Sequence, residues 1–200
     1  MADFTLAAFG AIAAALFVTE LTDKDAFLLI TVSTRVRAMV AFLAGVTAFV
    51  LTTALFVSVG SLLLVIVPVL WVRLVGGAIM VGYGLWQVKG IIGLGSVERE
   101  ESKIEKIRSP WRTFLALVAS LAVLDIAGDA TEVLTIVFVA RYSNPLLVFT
   151  GTITGLIAAT GLETALGSRL GRVLTPGRLR IVSAAVFLIL GGYILLSSSG

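Results

Sequence analysis

Residues 4–33 read FTLAAFGAIAAALFVTELTDKDAFLLITVS, an apolar run long enough to cross a bilayer, interrupted once by the polar insert Glu20-Leu21-Thr22-Asp23-Lys24-Asp25. About 20 apolar residues span the hydrocarbon core as a helix, so the insert falls inside a span. At roughly 100° per residue, Glu20 and Asp23 point toward one face of a continuous helix, and Asp25 faces elsewhere. Further apolar runs lie near residues 38–66, 69–94, 112–140, 145–168 and 179–197. The breaks between them have local causes: Ser33-Thr34-Arg35, Pro68, Ser143-Asn144-Pro145 and Thr175-Pro176-Gly177. The expected fold is an all-α integral membrane protein with six transmembrane helices.

Composition agrees with the run pattern. The chain of 200 residues is 58% hydrophobic and 14% charged, with a mean hydropathy of +1.09, values far from those of soluble globular domains. Six spans use nearly all of that length, which leaves no room for a separate soluble domain. With no cysteine and no histidine, disulfides, thiolate sites, imidazole ligands and histidine proton shuttles are all excluded. Any chemistry here uses oxygen. The start, Met1-Ala2-Asp3, lacks the basic region of a secretory signal, so the first helix is expected to stay in the mature protein.

Three helices fall on either side of one long charged connection. The expected organisation is a first three-helix repeat over residues 1–94, a cytoplasmic, solvated linker over 95–111, and a second three-helix repeat over 112–200. Pro68 and Gly84 match Pro176 and Gly192 at one offset, Gly60 matches Gly167 one residue short of it, and each half opens with an acidic helix. An odd number of helices per half inserts the second half upside down, and such inverted repeats meet at a substrate site near the midplane. Lys and Arg concentrate in alternate loops. Arg35, Arg37, Lys89, Arg99, Lys103, Lys106, Arg108, Arg112, Arg169, Arg172, Arg178 and Arg180 fall on one side, and only Arg73 and Arg141 on the other. The first side is therefore cytoplasmic, with both termini outside, and the basic balance is topological and gives no reason to invoke nucleic acid.

Seven of the twelve acidic residues lie within apolar spans: Glu20, Asp23, Asp25, Asp125, Asp129, Glu132 and Glu163. Lys24 is the basic residue embedded among them. At roughly 3 kcal/mol per central charge, seven unpaired carboxylates would cost about 20 kcal/mol, more than the net stability of a typical domain. Protons, Lys24 or a bound cation must neutralise them. A carboxylate that is protonated when empty and ionised when a metal binds couples the two fluxes, which is the chemistry of a cation/proton exchanger. On one continuous helix Asp125, Asp129 and Glu132, at i, i+4 and i+7, form a narrow acidic stripe. Thr22 and Thr131 add hydroxyl oxygens, and Gly128 permits close backbone approach or an opening of the helix. This hard-oxygen set suits a divalent cation such as Ca2+ or Mn2+, whereas copper or zinc would recruit sulfur or imidazole. Thr19, Thr135 and Thr160 read as helix-packing hydroxyls, and Gly76, Gly77, Gly82, Gly84, Gly151 and Gly155 as close helix contacts.

Glu20-Leu21-Thr22-Asp23-Lys24 and Gly128-Asp129-Ala130-Thr131-Glu132 resemble the paired E-x-G-D-K/R-T/S motifs of the Gdt family of Ca2+/Mn2+:H+ antiporters, within the LysE superfamily. The resemblance covers nearly the whole chain. It implies exchange of Ca2+ or Mn2+ for protons at one site built by both motifs, with Glu20, Asp23, Asp125 and Asp129 as metal ligands. Thr22, Lys24, Asp25, Gly128, Thr131, Glu132 and Glu163 are further candidates. Three positions depart from the pattern. Thr22 replaces a glycine, Asp25 stands where Thr or Ser is expected, and Ile126 occupies the second motif's glutamate position, so that Asp125, or Glu132, must supply that acid. Two other readings are a LysE-like small-solute exporter, which should need a larger, less acidic cavity, and an intramembrane aspartyl protease. The latter is disfavoured by Ile126 in its first glycine position and by the absence of a Tyr before Asp23. The expectation is a transporter and not an enzyme, with no cofactor beyond the transported ion. Its partners are the cation, protons and lipid, and its location a prokaryotic plasma membrane.

Overall fold

A computed structural model describes residues 5–21, 23–88, 99, 104, 107, 109–126, 130–170, 185 and 188–197. Its elements are α1 (Leu6–Glu20), α2 (Lys24–Ser33), α3 (Ala38–Ile66), α4 (Val69–Val88), α5 (Pro110–Ile126), α6 (Ala130–Tyr142), α7 (Pro145–Leu170) and α8 (Leu188–Ser197). No strand occurs among the described residues. The protein is an all-α membrane protein. Helices α3 and α7 are each long and apolar enough to cross a bilayer alone, α1 with α2 and α5 with α6 are bent pairs, and α4 and α8 are shorter apolar helices.

The helix ends follow from local chemistry. Thr5 caps α1, its hydroxyl accepting from the Ala8 N–H at 3.2 Å. Val67, which precedes Pro68, is extended and ends α3. Ser143, at φ 49°, turns the chain out of α6, while the Asn144 side chain accepts from the Leu147 N–H at 3.1 Å and Pro145 opens α7. The Ser-Asn-Pro break therefore works as the sequence predicts.

Burial is inverted relative to a soluble protein. Leu51, Leu62, Val65, Ile66, Trp71 and Leu196 face outward, whereas Glu20, Asp23, Asp25, Asp125, Glu132 and Glu163 are all buried. An apolar exterior around a polar interior is what a hydrocarbon solvent selects.

Each half's long helix lies along the other half's bent pair. Helix α7 runs parallel to α1 and on to α2: Gly151 meets Ile12, Gly155 meets the Ala13 carbonyl and Phe17, and Gly167 meets the Ile30 carbonyl and Ser33. Helix α3 likewise follows α5 and α6, with Thr52 beside Asp125 and Gly60 against Ile136 and Val139. Without a Cβ, Gly155 and Gly167 admit a neighbouring backbone that any other residue would push away. Gly76 and Gly77 are close contacts as expected, against Val137 and against Ile194 and Leu195, but Gly82 has nothing within 4 Å of a would-be Cβ.

The two ends of the bundle differ. At one, Arg35, Val36 and Arg37 line a pocket with Ile107, Pro110 and Thr113. At the other, an Arg73 N–H donates to the Ala140 and Arg141 carbonyls at 3.3 Å, and Arg141 donates to the Tyr193 hydroxyl at 3.0 Å. The linker departs from expectation where it is described. Ile104 is buried in the cluster formed by Leu28, Ala41, Leu117 and Leu121, so this part of the connection packs against the bundle instead of lying wholly in solvent. The cause is its apolar side chain, for which the ends of α2, α3 and α5 leave a site.

Candidate cation site

Both acidic motifs lie where a helix breaks. Helix α1 ends at Glu20, and α2 starts at Lys24 on an axis turned by 67°. Asp23 causes the new start. Its backbone is extended, and its carboxylate accepts the Lys24 N–H at 2.6 Å, making it the N-cap of α2. A short acidic side chain that satisfies a free N–H competes with helix continuation. Helices α5 and α6 are related by a 63° bend between Ile126 and Ala130. The narrow stripe expected for Asp125, Asp129 and Glu132 is therefore not a feature of this fold, because Asp125 and Glu132 belong to different helices. The common helical face expected for Glu20 and Asp23 is replaced in the same way, by an end and a cap. Thr22, Gly128 and Asp129 lie outside the described residues.

The two breaks meet inside the bundle. The Thr131 hydroxyl, at the start of α6, donates to Glu20 Oε2 at 3.4 Å, linking the motifs across 111 positions of sequence. The Glu20 carboxyl group lies within electrostatic reach of Glu163, Asp125, Asp23 and Glu132, with Glu163 acting on it most strongly, while Lys24 acts on Asp125 and Glu132. Glu20 Oε1, Asp23 Oδ2 and Glu132 Oε2 are buried without a hydrogen-bond partner among the described residues. Acceptors of this kind at the centre of a membrane bundle need a proton or a cation. Among the described residues no three carboxylates are close enough to form a finished metal cage.

Ile126 is 59% exposed on the outer face, so the second motif's glutamate position points to lipid. Asp125 turns inward. Its Oδ2 accepts from the Thr52 hydroxyl of α3 at 2.7 Å, and its side chain comes within hydrogen-bonding reach of Asp25. Asp25 was expected to face away from the acidic face, yet it is fully buried, because the 67° bend redirects the first turn of α2 into the bundle. Asp25, one departure from the family pattern, and Asp125, which stands beside another at Ile126, thus lie close together. Thr52 also reaches Glu132, so both candidates for the missing glutamate converge on one hydroxyl.

Two participants carry no strong sequence signal. Thr52 belongs to a hydroxyl pair, Thr52-Thr53, midway along a 29-residue apolar helix, and that interruption is the only hint. Tyr83 of α4 donates to Asp23 Oδ1 at 3.3 Å and has no local signature at all. Thr135 and Thr160, expected to bond a neighbouring helix, instead donate within their own helices, to the carbonyls of Thr131 and Leu156 one turn back.

A membrane bundle whose bent helices turn carboxylates toward one another is the architecture of an ion-coupled carrier. The chain matches the family model for the divalent cation/proton antiporter GDT1 over residues 8–92 and 108–200, which is most of its length, and it belongs to that family. No individual curated protein and no solved structure matches at the same standard. Membership makes the protein a transporter that exchanges a divalent cation for protons, and it sets aside the protease and the organic-solute exporter.

Proposed function

We propose that this protein exchanges Ca2+ or Mn2+ for protons through one site shared by the two helix breaks, with Glu20 and Asp23 from the first and Asp125 and Asp129 from the second. The observation that carries this reading is the Glu20–Thr131 hydrogen bond, because it joins the two motifs at the centre of the buried acidic constellation. Carboxylates, threonine hydroxyls and the main-chain groups freed where a helix breaks form an all-oxygen set suited to hard divalent ions. When the cation leaves, protons replace it on the same carboxylates, which keeps the buried charge tolerable in both states.

Six spans arranged as inverted repeats over residues 1–94 and 112–200 fit the parallel packing of α1 with α7 and of α3 with α5. Alternation of six spans makes the first run parallel to the fifth and the second to the fourth. A cytoplasmic end bearing Arg35, Arg37 and the linker, opposite an outer end bearing Arg73, Arg141 and both termini, fits the two clusters at the ends of the bundle. The proposed location is a prokaryotic plasma membrane.

The test is ion uptake by proteoliposomes enclosing a pH dye, with Ca2+ or Mn2+ added outside. Proton release on metal entry, lost in both Glu20→Gln and Asp129→Asn, is the expected result. If neither metal moves and no imposed gradient yields a proton signal, the reading fails.

A further inference from the structure

Along α7, the residues Gly151, Gly155, Ala159, Glu163 and Gly167 recur every fourth position on the side that meets α1 and α2. Four are small, and two of those, Gly155 and Gly167, admit the neighbouring helix to backbone contact. The fifth is a glutamate. At 1.5 Å per residue, Glu163 lies roughly 12 Å beyond Gly155 and about 6 Å before Gly167. Gly155 contacts α1 at Ala13 and Phe17, and Gly167 contacts α2 at Ile30. Glu163 therefore stands at the level of the break between α1 and α2, where the parting of two helix ends makes room for a side chain. It is 0% exposed, and neither carboxylate oxygen has a hydrogen-bond partner among the described residues. A packing role at this place would be met by another small residue, and a structural polar role by a donor. Helix α3 does the second of these at the other break, where Thr52 donates to Asp125.

We propose that Glu163 is a further cation ligand, supplied by α7 to the mouth of the first break, and that it sets the site's preference between Ca2+ and Mn2+. This rests on the cation-exchange reading above and adds a third source of carboxylate to the two breaks. Ca2+ takes six to eight oxygens and accepts bidentate carboxylates, whereas Mn2+ is content with fewer. Loss of Glu163 therefore weakens Ca2+ more than Mn2+.

The experiment measures KM for Ca2+ and for Mn2+ in proteoliposomes, and Kd for each ion on detergent-purified protein, for wild type, Glu163→Gln, Glu163→Asp and Glu20→Gln. The expected result for Glu163→Gln is a KM and Kd for Ca2+ raised roughly tenfold, the size of one charged interaction, with a smaller rise for Mn2+. Glu163→Asp should fall between it and wild type. A Glu163→Gln protein with wild-type constants and wild-type ion preference, beside an inactive Glu20→Gln, overturns the role of Glu163 and leaves the exchange site standing. Activity retained in Glu20→Gln overturns both. Should Glu163→Gln not elute as a folded species, Glu163→Asp decides: a shifted Ca2+:Mn2+ ratio supports the proposal, and an unchanged ratio overturns it.

Discussion

The two broken helices occupy matching places in the two halves of the chain, yet they are stabilised by different means. In the first, Asp23 caps the outgoing helix, Tyr83 donates to the capping carboxylate, and the helix alongside approaches through Gly155 and Gly167 until backbone meets backbone. In the second, Asp125 lies in the last turn of the incoming helix and accepts from a threonine hydroxyl, and a Cβ added at Gly60 would lie 3.3 Å from Val139 Cβ, a tight contact but with a side chain. The first break is capped by an aspartate and met by backbone contacts from the neighbouring helix. At the second, Asp125 accepts from a hydroxyl, while Glu132 Oε2 has no hydrogen-bond partner among the described residues. The two bent pairs thus differ in what holds them.

The largest effect is expected at the point where the breaks touch. Asp125→Asn should lower Ca2+ or Mn2+ uptake on the order of 100-fold, the loss of about 3 kcal/mol from a charged contact. Asp25→Asn should be strongly non-additive with it in a double-mutant cycle, because the two side chains lie close together. Ile126→Glu in the Asp125→Asn background should not restore uptake, since that position faces lipid. Restoration would mean that the second break turns further than described. Next come the glycine contacts. Gly155→Ala drives a Cβ into the Ala13 carbonyl and should cost about 1–3 kcal/mol of stability, read as a lower midpoint of thermal unfolding in detergent. Gly60→Ala should cost less than about 1 kcal/mol, and equal losses would erase the contrast between the halves. Thr52→Val removes the hydroxyl donor from Asp125 and should reduce uptake roughly tenfold, with metal binding reduced in parallel. The smallest change is expected for Tyr83→Phe. A 3.3 Å hydrogen bond is worth about 0.5 kcal/mol, so uptake should fall only about twofold.

Much of the fold was legible because hydrocarbon is an unforgiving solvent. Run length and composition located α3 at residues 38–66 and α7 from residue 145, and Pro68 and Ser143-Asn144-Pro145 punctuated the chain where the helices end. Carboxylates inside such runs marked a candidate site for the same reason, since burying them in hydrocarbon is costly. Geometry was another matter. Uninterrupted helical periodicity put Glu20 with Asp23 on one face, Asp25 on another, and Asp125 in line with Glu132. The breaks rearranged all of these, and at the first the cause is local, since an aspartate that caps a helix overrides the 3.6-residue period.

By itself the sequence determined the membrane class, the positions of the apolar segments, the absence of sulfur and imidazole chemistry, and the identity of the acids, since each depends on residue type and spacing along the chain. Only the tertiary structure decided which acids meet. Asp25 comes near Asp125, Thr131 donates to Glu20, Thr52 and Tyr83 donate to Asp125 and Asp23, and Glu163 lies near Glu20. These pairings depend on two bends, of 67° and 63°, and on how closely glycine lets one helix approach another, quantities that no local pattern of side chains encodes.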